Sequence, residues 1–199
     1  EACNAVLRRS DSGRLLPSLV RKGLFTSATH ERAQTYEFHP LFRQYLLDKA
    51  ERTDSKRVQR LRLRAAAFLV REERIEEAVE LYLSAGAGMR AAGLMTSHAR
   101  PMDLQGRGQT LAQWAAWAEE YELEVPIVLI RLGYTRIDQG RLDEAERLLT
   151  QAWDQIEKAP TVEFACHADF LEWSIARAKG DSSRASVSLD AIESRLTPE

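Results

Sequence analysis

Three stretches of this chain repeat one short pattern, and that repetition restricts the fold more than any other feature. Gly140-Arg141-Leu142-Asp143-Glu144-Ala145-Glu146 is followed by Leu149 and Ala152. Glu73-Arg74-Ile75-Glu76-Glu77-Ala78-Val79 is followed by Tyr82 and Ala85 at the same offsets. Gly180-Asp181-Ser182-Ser183-Arg184-Ala185 with Leu189 gives a third, weaker copy. Each copy reads as a turn that opens a helix. The alanine present in all three leaves room for two helices to cross closely. A unit of this kind cannot bury its apolar stripe alone and must stack on its neighbours.

The surrounding sequence extends the pattern. Val58, Leu61, Ala65, Phe68 and Leu69 follow the 3.6-residue period, as do Ile75, Ala78, Val79 and Tyr82. Further stripes run through Leu111, Trp114, Ala115, Ala118 and Tyr121, through Leu142, Ala145, Leu149, Ala152, Trp153 and Ile156, and through Ala185, Leu189, Ile192 and Leu196. The breaks at Glu72-Glu73-Arg74, Gly86-Ala87-Gly88, Gly140-Arg141 and Gly180-Asp181 are short enough to make consecutive helices antiparallel neighbours. Leu132-Gly133 before the middle copy, with Ala145, Leu149 and Ala152 after it, resembles the tetratricopeptide consensus, although the copies are not regularly spaced. The expected architecture is a divergent superhelix of antiparallel helix pairs.

The first fifty residues read differently. Asp11-Ser12 offers a cap to a helix through Leu15, Leu16, Leu19 and Val20 that Gly23 ends. Leu24 to Ser27 and Thr35 to Phe38 are β-prone stretches around a polar link, Ala28 to Gln34, and suggest the two strands of a wing. Pro40 then opens a helix through Leu41, Phe42, Tyr45 and Leu46. The fold class expected is all-α: a winged-helix remnant over 1–52 with a short β-hairpin, then a tetratricopeptide-like repeat domain over 53–199. Charge supports two modules, because residues 1–64 hold 14 Lys/Arg against 7 Asp/Glu and residues 65–199 hold 14 against 23.

The net charge of -2 gives no blanket attraction to nucleic acid or membrane, and no apolar run approaches the roughly 20 residues of a membrane helix. The start, Glu1-Ala2-Cys3-Asn4, lacks a secretory pattern, which points to the cytoplasm. Cys3 and Cys166, far apart, suggest two buried free thiols.

The stretch from Glu1 to Leu7, Gly23-Leu24-Phe25, and Tyr36-Glu37-Phe38-His39-Pro40-Leu41-Phe42-Arg43-Gln44-Tyr45-Leu46 together resemble the MalT-like, LuxR-type transcriptional activators of the STAND class of signal-transducing ATPases. In that family a nucleotide-binding domain precedes a winged helix, helical repeats follow, and a helix-turn-helix ends the chain. The resemblance implies a piece of such a regulator, covering the hinge and the start of the sensor. No Gly-x-x-x-x-Gly-Lys-[Ser/Thr] phosphate loop is present, so ATP or ADP is expected only in the nucleotide-binding domain of the parent chain, which is also an expected partner. The resemblance further implies that His39 senses a nucleotide phosphate in the full-length parent, since STAND relatives place a phosphate-contacting His at this strand-to-helix junction. The plain reading of His39 is a polar junction residue.

The repeats offer a second candidate. With Gly133 at its usual tetratricopeptide position, Ile127, Ile130, Tyr134 and Ile137 fall on a concave face that a protein or small-molecule effector would cover, or that packs on an adjacent helix. Lys56, Arg57, Arg60, Arg62 and Arg64 lack interleaved aromatics, which favours a solvated face or a domain contact over nucleic acid. Trp114, Trp117, Trp153 and Trp173 lie on helical stripes and read as core. His30, His39, His98 and His167 fall in different elements, and the side chains of adjacent Cys166 and His167 diverge on a helix, so neither a catalytic group nor a metal site is expected. The expectation is therefore a non-enzymatic regulatory fragment. A stand-alone tetratricopeptide adaptor for a peptide is the alternative.

Overall fold

The computed structural model describes residues 2–30 and 35–197, and these form two compact units, Glu1–Ala87 and Gly88–Glu199. In the first unit, α1 (Ala2–Leu7) and α2 (Ser12–Arg21) precede a hairpin of β1 (Thr26–His30) and β2 (Thr35–Phe38), followed by α3 (Pro40–Arg71) and α4 (Ile75–Ser84). The second unit holds α5 (Gly88–Leu104), α6 (Gly108–Glu120), α7 (Pro126–Asp138), α8 (Leu142–Lys158), α9 (Val162–Lys179) and α10 (Ser182–Leu196). The chain is a winged-helix remnant with one antiparallel hairpin, followed by helical repeats.

The hairpin pairs Thr26 with Phe38, Ser27 with Glu37 and Ala28 with Tyr36, then slips register before His30 meets Thr35. The first strand starts two residues later than the sequence suggests. Phe25 takes φ 50, a left-handed value that extended backbone does not tolerate, so the strand begins after it. The part of the expected polar link at 31–34 lies outside the described residues.

Helix α3 runs through two segments that the sequence separates. Asp54 departs from helical geometry (φ -156, ψ 77), and its carboxylate accepts the Arg57 N–H at 2.9 Å. It therefore caps a new helical start in the middle of α3. The second half of α3 packs on α4, tied by Gln59 Nε2 donating to the Ala85 carbonyl at 2.8 Å and Arg62 Nη1 to that of Ser84 at 3.1 Å.

The repeat copies fold alike. Before the middle copy the Arg141 N–H donates to the Arg136 carbonyl at 2.8 Å, Arg74 does the same to Leu69 at 2.9 Å, and Asp181 to Ala176 at 2.9 Å. The residue before each is left-handed: Gly140 at φ 71, Gly180 at φ 77, and Glu73 at φ 58 without glycine's freedom. Ala78, Ala145 and Ala185 are all buried, as the close-crossing argument requires.

In the second unit α5, α7 and α9 touch in a row, while α6, α8 and α10 pack against them in pairs. The core joins Leu129 and Ile130 of α7 to Ala145, Leu149, Ala152 and Ile156 of α8 and to Ala165, Ala168, Leu171 and Ile175 of α9. α7 passes close to α9 at Gly133, where an added Cβ would stand 2.6 Å from Leu171 Cδ2. Ion pairs tie α8, α9 and α10 outside this core. Glu146 receives Lys179 and Arg184, each at 2.7 Å, and Arg184 also reaches Glu172 at 3.1 Å. The buried Asp169 of α9 accepts Arg195 Nε of α10 at 2.7 Å. Cys3 and Cys166 are free thiols, but Cys3 is exposed on the short α1 and Cys166 is half-buried, so the burial expected of both is not found.

Two tests follow from this packing. Gly133→Ala forces the fully buried Leu171 off its rotamer, and the overpacking outweighs a helix-propensity gain of about 1 kcal/mol, so urea unfolding should register a net loss of about 1–2 kcal/mol. Gly93→Ala in α5 meets nothing within 4 Å and should instead stabilise by about 0.5–1 kcal/mol. The second test is acid titration. Hydrogen bonds from Lys179 and then Arg184 hold the Glu146 carboxyl below its ordinary 4.5. A carboxyl lowered by folding contributes stability above its unfolded value and loses it as pH falls through the folded one. The stability advantage of the native chain over Glu146→Gln should therefore be full near neutrality and shrink as acid titrates Glu146; a pH-independent difference would contradict this.

Candidate functional site

The junction between β2 and α3 is built around His39. Pro40 occupies the first turn of α3, where its missing N–H costs nothing. His39 donates its backbone N–H to the Phe25 carbonyl at 2.7 Å and accepts the Arg43 N–H at 2.9 Å, which fixes the chain on both sides of the turn. Phe42, one turn into α3, holds the hairpin: its ring centroid lies 5.1 Å from Phe25, 5.9 Å from Phe38 and 6.4 Å from Tyr45. The His39 side chain is exposed and makes no capping hydrogen bond. It stands at a groove of about 450 Å³ whose lining includes Gly23, Phe25, Ser27, Glu37, Phe38 and Pro40. This arrangement presents an imidazole donor on a fixed backbone to whatever approaches the groove.

The basic residues of α3 divide into two groups. Arg62 pairs with Glu51 and Arg64 reaches the Val6 carbonyl at 3.5 Å, so both serve packing within the first unit. Lys56, Arg57 and Arg60 are exposed.

The strip expected on α7 is largely covered. Ile127 is 6% exposed and Ile130 is fully buried in the α7–α8–α9 core, so neither is an accessible surface. Tyr134 and Ile137 pack on that core and are half-buried. The reason is that α7 touches α5, α6, α8 and α9, which leaves its apolar residues little solvent to face. Trp114 is fully buried, whereas Trp117, Trp153 and Trp173 are half-buried, the last two lying under Arg195 and Arg177 at 5.6 and 4.8 Å from their ring centroids.

The sequence did not single out a polar group that α5, α7 and α9 share. Arg131 of α7 pairs loosely with Asp103 of α5 at 3.8 Å and lies 5.7 Å from the Tyr134 ring. Burial pushes the Tyr134 phenol up, partly offset by Arg131 and by the Ser174 hydroxyl. Burial also pushes Asp103 up. His167 of α9 is pushed down by burial and then by the charge of Arg131, with Arg100 acting the same way and Glu163 against it. The signal available beforehand was the helical spacing of Glu163, His167, Phe170 and Ser174 along one face of α9. Among the described residues no group of three or more His, Cys, Asp or Glu is placed to hold a metal ion, and no helix is long and apolar enough to cross a membrane.

Comparison with known proteins agrees with the hairpin geometry. The family model of the MalT winged helix domain matches residues 1–58. The chain is 31% identical over 97 residues to the serine/threonine-protein kinase PknK of Mycobacterium tuberculosis, and equally to that of Mycobacterium bovis. That match covers 49% of this chain and 9% of the relatives, so the chain corresponds to a small part of their length. No solved structure matches the chain.

Phe42→Ala removes the ring on which the hairpin rests. The expected outcome is a loss of about 1–2 kcal/mol and faster amide exchange over 26–30 and 35–38, with protection in α7–α10 unchanged. Residues 1–58 are thus similar to the MalT winged helix domain, and the hairpin held between helices is the element that carries the likeness.

Proposed function

We propose that this chain is the relay and sensor segment of a nucleotide-switched transcriptional regulator of the STAND, LuxR-type class. The observation that carries the reading is α3. It begins in the segment matched by the MalT winged helix domain, passes the break at Asp54, and ends packed against α4, the first helix to carry the repeat pattern. One helix thus belongs to both the wing and the first repeat. A shift in how the repeats pack moves the end of α3, and the aromatic contacts of Phe42 pass that shift to the hairpin and His39.

Mechanistically this is a two-state element. An effector that favours one packing of the repeats and a nucleotide that favours the same packing of the wing become coupled, each tightening the other's binding. In this reading the nucleotide belongs to the parent chain's own nucleotide-binding domain, where His39 donates to a phosphate oxygen in the resting state. The chain itself carries out no chemistry. Its helical repeats, of tetratricopeptide type, meet a protein or small-molecule effector in the cytoplasm. DNA contact is left to another domain of the parent.

The test uses the full-length parent with a promoter reporter. His39→Ala should lower the amount of ADP that copurifies and raise uninduced reporter output. The 199-residue chain alone should bind neither ADP nor ATP by calorimetry. Unchanged ADP content and unchanged basal output in the variant would sink the role assigned to His39. A loss of effector response in Asp54→Pro, with ADP binding retained, would support α3 as the relay.

A further inference from the structure

The pair α9–α10 repeats the pair α7–α8 position by position. Gly180 stands where Gly140 does, and the Asp181 N–H meets the Ala176 carbonyl as the Arg141 N–H meets that of Arg136. Carried along the helices, the same alignment sets Phe170 on Ile130, Trp173 on Gly133, Leu189 on Leu149 and Leu196 on Ile156. In the first pair α9 covers these positions, and Ile130, Leu149 and Ile156 are 0%, 4% and 3% exposed. In the second pair no described residue takes that role, and Phe170, Leu189 and Leu196 are 41%, 41% and 63% exposed. A groove of about 350 Å³ between α9 and α10 is left open, lined by Trp173, Arg177, Ser182, Ala185, Ser186 and Leu189 among others. It is the counterpart of the groove in which α9 itself lies, so its shape is that of a seat for a helix.

Trp173 decides which helix fits. At Gly133 even a Cβ would stand 2.6 Å from Leu171 Cδ2. At the equivalent position an indole, with the Arg177 guanidinium 4.8 Å from its ring centroid, leaves no path for a leucine at the crossing. A helix entering this groove must bring small side chains to Trp173. α10 has them: Ser182 and Ser186 are exposed and share its face with Leu189 and Leu196. Charge complements shape. Among the described residues Arg177, close to the α9–α10 turn, meets the Trp173 ring and no carboxylate. Glu193, toward the far end of α10, is exposed and has no cation partner among them.

We propose that the α9–α10 groove is a self-association face, filled by α10 of a second copy of this chain in a two-fold dimer. Two-fold symmetry sets the two α10 helices antiparallel, which brings the Glu193 of each copy toward the Arg177 of the other. Each copy then gives its partner the cover that α9 gives α7 and α8, and Leu189, Leu196 and Trp173 leave solvent. The face stands on this geometry alone and does not depend on the regulatory reading above.

The experiment is sedimentation velocity of the 199-residue chain over about 5 to 500 µM. A reversible dimer is expected, half formed at a concentration on the order of 100 µM or below and weakened by salt. Leu189→Glu, at a position already 41% exposed in the monomer, should weaken it about tenfold or more. Arg177→Glu and Glu193→Arg should each weaken it about tenfold, because each sets like charges together twice across the axis. Mixed in equal amounts, these two variants should recover a 1:1 heterodimer, since every pair is then of opposite sign, an outcome that a misfolded variant cannot give. Leu104→Glu, exposed on α5, should change nothing. A chain that stays monomeric to about 500 µM leaves the groove to a helix of another protein and overturns the proposal. Open-ended oligomers, a dimer indifferent to Leu189→Glu, or no recovery in the mixture would each overturn it as well.

Discussion

The contact on which the helical repeats depend is the close passage of α7 past α9 at Gly133 and Leu171. Backbones of neighbouring helices approach this closely only where a side chain is missing or small. Gly133 supplies that at the crossing of first helices, and Ala145, Ala152, Ala165 and Ala168 supply it between α7, α8 and α9. The larger residues Ile130, Leu171 and Ile175 then fill the space that the small ones open, so the core is fully buried without long helices. The ion pairs around Glu146 lie outside this core and close α10 onto it. They direct the stacking more than they drive it, since exposed pairs contribute little on their own.

The first unit rests on a weaker arrangement. A two-stranded hairpin is marginal by itself, and here the ring of Phe42 helps to hold it to α3. Phe25, Leu41 and Tyr45 remain 62%, 77% and 56% exposed around that contact. Asp54 shows how, within this unit, the winged-helix segment is joined without a loop to the helix that packs on α4. By capping Arg57 it lets the helix restart at once, so α3 changes direction while remaining one continuous element.

Much of this was legible in the sequence because each signal had a single physical meaning. The repeated turns at Glu73-Arg74, Gly140-Arg141 and Gly180-Asp181 fixed helix boundaries, and the second strand and the Pro40 helix start lay where their residues placed them. The fold class followed from these alone. What escaped reading were the helices packed on several sides. α7 touches α5, α6, α8 and α9, so its apolar residues form no single stripe. Ile127 and Ile130 therefore left open a concave surface or a contact with an adjacent helix, and they are buried. Arg131 belongs to no sequence pattern, and only the packing reveals that its buried Nε has no acceptor.

The contrast between the two units bears on how a signal could pass along the chain. Segments that move in a switch come from the low-stability end of a structure, where few buried contacts resist opening. The hairpin and the start of α3 fit that description: among the described residues none of the largest fully buried side chains belongs to residues 1–71, whereas α5–α9 hold most of them. A partner meeting His39 would order a loosely held region. It would act by selecting one geometry of a hairpin held by the Phe42 ring and by the backbone hydrogen bond from His39 to Phe25.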